Sequence, residues 1–339
     1  MESGNKLPVN AQRSHLIERV AMSTTTTGMR RIAFLIPIIT IATLLLASCS
    51  SSSYGSDPIP KTSKFVFDKF NGGEFLDTFT PDKPEAGITL EAMAHLSALG
   101  YDSTKQAKAI SWAKANTAEF NSIGLKATYV FTAHALGFAD DETVRTAAKE
   151  VASGVGSDGT LEGSNNFVYS WVILALVAED EKELANKVAV HLSTLSEQDG
   201  GYKYVQGDPQ STDAADVTSF ALMAMEASLG TGTSTDEAAK EFAVSKAKTY
   251  LSASVVDGTH WTSYGDVDVS GTAYAIMALS VMEVDVTAER AWLASRISPA
   301  DGGVSAPWTE PAGDIFSSAQ SLLPLAKLSF LDVLNHKAN

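Results

Sequence analysis

Cysteine is almost absent: the 339 residues hold one, Cys49. An internal disulfide is therefore excluded. Positive charge is scarce as well. Twenty-five Lys and Arg stand against forty Asp and Glu, a formal net charge of −15. Residues 1–48 hold five of the basic and two of the acidic residues, so the remainder carries −18. A surface this acidic repels nucleic acid and anionic headgroups, and no nucleic-acid partner is expected. No run sustains period-two alternation, so no sheet is expected. Long apolar runs are rare too. The one over residues 32–46 is short of the roughly 20 residues that span a bilayer.

What surrounds that run gives it a meaning. Residues 1–28 are polar and featureless, and read as a disordered or untranslated extension. Met29-Arg30-Arg31 supplies a basic start, the apolar run follows, and Ala47-Ser48-Cys49 closes it. That is the pattern of a secretory signal over residues 29–48. Leu46-Ala47-Ser48-Cys49 resembles a bacterial lipobox, in which the cysteine becomes the lipidated first residue. The implied product is a lipoprotein held at the extracytoplasmic face of the cell membrane through Cys49. Residues 49–60 are a Ser/Gly/Pro tether, and residues 61–339 form the globular part.

The globular part is a repeat. Asp199-Gly200-Gly201 leads through an aromatic, polar loop to an Ala-rich run ending at Met225. Asp257-Gly258 leads to GTAYAIMAL at 271–279, and Asp301-Gly302-Gly303 to SSAQSLLPL at 317–325. Asp158-Gly159 leads through Asn165-Asn166 to VYSWVILAL at 168–176, and Asn71-Gly72-Gly73 to LEAMAHLSAL at 90–99. A weaker copy carries TYVFTAHAL at 128–136. Charged, amphipathic segments at 103–118, 141–153, 181–196, 236–254 and 287–297 alternate with these runs. Six copies in 279 residues give about 46 per helical hairpin, within the range of stacked helix pairs. Nearly chargeless runs suit an inner layer touched on both sides, and amphipathic ones an outer layer. The first outer helix is the weakest, with only 64–70 to supply it.

The Asp-Gly-Gly turns and the Ala/Leu helices after them resemble the prenyltransferase and squalene-oxidase repeat superfamily. The resemblance covers about residues 70–330 and implies an all-α fold, an α/α toroid of about six hairpins. That superfamily includes terpene cyclases, protein prenyltransferases and non-catalytic cobalamin carriers. Protein prenyltransferases hold zinc with Asp, Cys and His, and the sole cysteine here lies outside the toroid. Class II terpene cyclases protonate their substrate from Asp-x-Asp-Asp. The nearest fragments are Asp213-Ala214-Ala215-Asp216 and Asp266-Val267-Asp268-Val269, each one aspartate short. The inner runs carry only Lys126 and Lys327, too few cations for a diphosphate. No metal or resident cofactor is expected.

Aligning the inner runs on their Ala-Leu core places Phe131, Trp171, Phe220, Tyr274 and Gln320 at one register position, with Ala94 in the first copy. Facing the axis, they would ring it with aromatics, a surface for an apolar or flat ligand. Tyr169 and His134 are candidate polar partners, and Asp213, Asp216 and Asp268 candidate hydrogen-bond acceptors. Tyr202, Tyr204, Trp261, Tyr264 and Trp308 fall in the loops and are expected at the rim, where a protein partner could dock. The reading is a membrane-anchored, receptor-like binder of a small molecule such as an isoprenoid or corrinoid. The alternatives are a cyclase- or prenyltransferase-like enzyme, and a docking toroid with a sealed core.

Overall fold

The computed structural model describes residues 59–336 apart from Phe79 and Tyr264. Cys49, the signal segment, most of the tether and Tyr264 lie outside the described residues. Six Ala- and Leu-rich helices form the inner layer: α2 (Ala86–Ala98), α4 (Ile123–Leu136), α6 (Asn166–Ala178), α8 (Ala215–Ala227), α10 (Val269–Val281) and α12 (Ile315–Leu325). Each packs against the next, and α12 packs against α2, so the inner layer closes on itself. The outer helices are α1 (Ile59–Asp68), α3 (Ala107–Ala115), α5 (Glu142–Ser153), α7 (Lys182–Ser193), α9 (Ser234–Ser254) and α11 (Thr287–Ser295). A short α13 (Phe330–Asn335) ends the described chain. The all-α toroid of six hairpins is therefore present.

Burial explains the layering. Nearly every residue from Ile88 to Ser97 in α2 and from Tyr169 to Leu176 in α6 is buried, on all faces of the helix. The outer α5 buries only Val144, Ala147 and Val151, a single stripe. Small residues let the inner helices be touched from both sides without losing close packing.

One hydrogen-bond device recurs where a turn enters an inner helix. The backbone N–H groups of Leu76, Tyr202, Trp261 and Val304 donate to the hydroxyls of Thr89, Thr218, Thr272 and Ser318, at 2.7–3.0 Å. Thr89 and Thr272 pass the bond on to the carbonyls of Glu85 and Asp268. In the third copy Leu161 N–H donates to Tyr169 Oη instead, at 2.9 Å. These hydroxyls satisfy buried backbone donors that water cannot reach.

The turn glycines have a steric role. Gly159 and Gly200 have φ of +84° and +100°, and an added Cβ would meet the carbonyl oxygens of Lys187 and Lys246 at 2.1 and 2.4 Å. The turns thus press on the backbones of α7 and α9, where only glycine fits. Gly302 sits similarly over Lys61 of α1, and Thr62 Oγ1 donates to its carbonyl at 3.0 Å. The first outer helix therefore seals the seam between the last turn and the start of the fold. It begins at Ile59, earlier than the sequence pattern suggests.

The expectation of no sheet needs correction. β1 (Trp261–Ser263) and β2 (Asp266–Asp268) form a two-stranded antiparallel ribbon leading into α10. Three residues per strand are too few for a periodic signal, and Gly265 at φ +89° makes the turn.

Candidate functional site

The aromatic register faces the axis, but its hollow is filled. Phe131, Trp171, Phe220 and Tyr274 follow one another at ring-centroid distances of 5.5, 4.8 and 5.5 Å. Phe330 of α13 stands at their centre, 6.0, 5.4, 4.9 and 5.6 Å from the same four rings. It is fully buried. In the first copy His95 meets Phe330, at 5.1 Å, so the axial position of α2 is His95 and not Ala94. The ring is a plugged layer of core.

One helical turn nearer the N-termini of the inner helices, the axis opens. Glu91, Phe167, Asp216, Ser270 and Phe316 stand four residues before His95, Trp171, Phe220, Tyr274 and Gln320, hence on the same helix faces. With Gly87, Gly124, Leu125, Thr128, Val168 and Tyr204 they line a pocket of about 380 Å³, whose inner wall includes Trp171 and Gln320. Tyr204 overhangs it from the preceding loop. Asn166 holds that loop by donating its backbone N–H to Tyr204 O at 3.0 Å and its side chain to Lys203 O at 2.8 Å.

The charged groups of the pocket are carboxylates. Glu91 is 5% exposed and accepts from Tyr274 Oη at 2.8 Å. Burial pushes its carboxyl up to about 7, while hydrogen bonds from Tyr274 and Gln320 pull the other way. Burial, then the charge of Asp268, raises Asp216 to about 6. Asp268 is raised too, chiefly by burial, while its N-cap bond from Gly271 N–H, 2.8 Å, opposes the shift. Gln320 is 4% exposed, and its Oε1 has no hydrogen-bond partner. Behind Glu91, His95 Nδ1 faces the Ala319 carbonyl at 3.0 Å and so carries the proton. Burial pushes that ring down to about 4, and its bare Nε2 lies 3.9 Å from Glu91. No Lys, Arg or His lines the pocket.

Trp171, Gln320, Asp216 and Tyr204 meet there, and Asp268 reaches Asp216 electrostatically. Others stand elsewhere. Tyr169 turns outward, locking its turn and stacking on His191 at 5.4 Å. His134 pairs with Glu179 at 2.7 Å near the C-terminal end of α4, away from the pocket. Asp213 is beside Asp199 and Glu197, and Ala214 takes the N-cap of α8. Two rim expectations are corrected: Tyr202 and Trp261 are fully buried. The Trp261 indole N–H donates to Leu251 O at 3.0 Å, pinning its loop to α9. Trp308, 73% exposed, and Tyr204, 48% exposed, do reach solvent. Among the described residues no group of three or more His, Cys, Asp or Glu is placed to hold a metal ion. The sequence signal for Glu91 is a lone carboxylate in an apolar run.

No family model and no curated protein matches the sequence. Solved structures do match. Type II terpene cyclase MstE from Scytonema superposes with a TM-score of 0.61 at 14% identity, over 80% of this chain and 97% of that one. Haptocorrin in complex with Cbi superposes with a TM-score of 0.57 at 13% identity, over 84% and 70%. A UGL variant with dGlcA-Glc-Rha-Glc superposes with a TM-score of 0.61 at 11% identity, over 80% and 96%. At such identities the likeness is one of fold alone: the chain shares the α/α-toroid fold of these structures.

Proposed function

We propose that this toroid is a binding protein for a small, largely apolar molecule, carried outside the cytoplasmic membrane on a lipid attached to Cys49. The observation that carries the reading is the 380 Å³ pocket above the Phe330 plug. Its walls are pre-formed by packed inner helices, which limits the ordering cost of binding. Aromatic and aliphatic side chains line it, with a few convergent polar groups to orient a ligand. Haptocorrin with Cbi and the UGL complex support small-molecule binding by this scaffold. The basic start, apolar run and lipobox-like end of residues 29–49 support the anchor.

Gly87→Leu tests the pocket. A Cβ there meets only Leu125 Cδ2, at 3.7 Å, so the helix accepts a side chain that projects toward the hollow. Native mass spectrometry of protein taken from its own membranes should show a retained small molecule in the wild type. The Leu variant should fold and carry none. Equal retention by both would end the reading.

A second reading is an acid-catalysed enzyme acting on an apolar substrate. Glu91, buried and raised to about 7 beside an aromatic wall, favours it. It requires turnover of a polyprenyl substrate by the wild type that Glu91→Gln lacks.

A further inference from the structure

The charged groups of the pocket have a single sign. Glu91 and Asp216 offer carboxylate oxygens, and Gln320 offers a buried Oε1 that no group of the protein satisfies. A buried acceptor without a donor is unfavourable, and a ligand N–H or O–H would satisfy this Oε1 in the pocket wall. No lining residue is cationic. The six inner N-termini at this end would by themselves favour an anion. Four are already capped by side chains, those of Ser122, Asn165, Asp268 and Asp314. Two of these caps are carboxylates, which oppose the helix-end charge. The other wall, Phe167, Trp171 and Phe316, is aromatic, a surface that attracts cations as well as apolar groups.

We infer that the pocket selects a protonated amine on an apolar body, its N–H groups shared among Glu91, Asp216 and Gln320 Oε1 and its hydrocarbon laid against Phe167, Trp171 and Phe316. This rests on the pocket reading above and adds the charge of the ligand. It also has a pH consequence. Glu91 must ionise to pair with the ammonium. The titratable groups facing it are Tyr274, His95 and, across the pocket, Asp216 backed by Asp268. Burial holds both Glu91 and Asp216 above the ordinary carboxylate range. Below the raised values a proton competes with the ligand cation, so affinity falls as pH falls.

The test uses three chains of equal length: n-octylammonium, n-octanol and n-octanoate, titrated calorimetrically into the folded protein. At pH 8 the ammonium should bind at least tenfold more tightly than the other two. Its affinity should drop about tenfold between pH 7 and pH 5.5, with octanol unaffected. Glu91→Gln and, separately, Asp216→Asn should each reduce the preference for the ammonium over octanol at least fivefold. If octanol binds and is lost in Gly87→Leu, yet the ammonium has no advantage, the cation inference fails and the pocket reading stands. If octanoate is preferred, or the preference survives both substitutions, the inference is overturned. If none of the three binds, it is overturned as well, and retention of a native ligand judges the pocket reading separately.

Discussion

Glu91 sits in surroundings that disfavour its charge. Its carboxyl is raised from an ordinary 4.5 to about 7, so the folded state holds its proton more tightly than the unfolded chain does. The stability tied to that proton is complete below pH 4.5. It is lost as pH rises through 7. A shift of this size corresponds to roughly 3 kcal/mol at full ionisation. Glu91→Gln keeps an acceptor for Tyr274 and cannot ionise. Urea unfolding should find the variant more stable than wild type at pH 8, by up to about 3 kcal/mol, and nearly equal at pH 4. Parallel stability curves across that range would mean that Glu91 is paired or solvated better than the geometry indicates.

At the scale of elements, α13 decides which part of the axis is core and which is pocket. It has six residues, too few to be stable alone. Ser329 and Asp332 form a capping box at its start, and Asp332 Oδ2 accepts from Ser329 N–H and Oγ, both at 2.7 Å. That cap delivers Phe330 into contact with five inner helices at once. Phe330→Ala should cost about 3–5 kcal/mol in chemical denaturation, with helical circular dichroism retained. A loss below about 1 kcal/mol would show that the aromatic layer closes without its plug. Truncating Trp171 or Tyr274 would be less informative about binding, because both also pack on Phe330.

For the whole molecule, closure and location are the issues. The inner ring closes through α12 against α2, and the outer layer through Thr62 on the Gly302 carbonyl, 240 residues apart. Ends joined this way make one cooperative unit, unlike an open solenoid. None of the described helices is long and apolar enough to cross a membrane. On the reading proposed above, the segment ending at Cys49 would carry the membrane attachment. Cys49→Ala should move the protein from the membrane to the soluble fraction, or leave an unprocessed precursor that mild washing removes. A variant that stays fully membrane-bound would point to an uncleaved apolar helix.

Architecture was legible because it is periodic. Six turn-plus-helix copies, chargeless inner runs and single-stripe outer runs each follow from local chemistry and give two layers of helical hairpins; closure into a toroid was implied by the family resemblance and is seen in the packing of α12 on α2. The axial register was legible for the same reason, since Phe131, Trp171, Phe220 and Tyr274 share one phase of a 3.6-residue repeat. Where the pocket lies was not. Phe330 belongs to no repeat, and only the folded chain brings it to the axis and turns a presumed ligand ring into core. The same holds for Glu91, whose oxygen meets a hydroxyl 183 residues away. It holds also for Tyr202 and Trp261, whose neighbours across the turn, not their own sequence, decide that they are buried. Helical phase is a property of a segment and can be read from it. Whether an axis is filled or open depends on residues brought together from the whole chain, and that was decided by the tertiary structure alone.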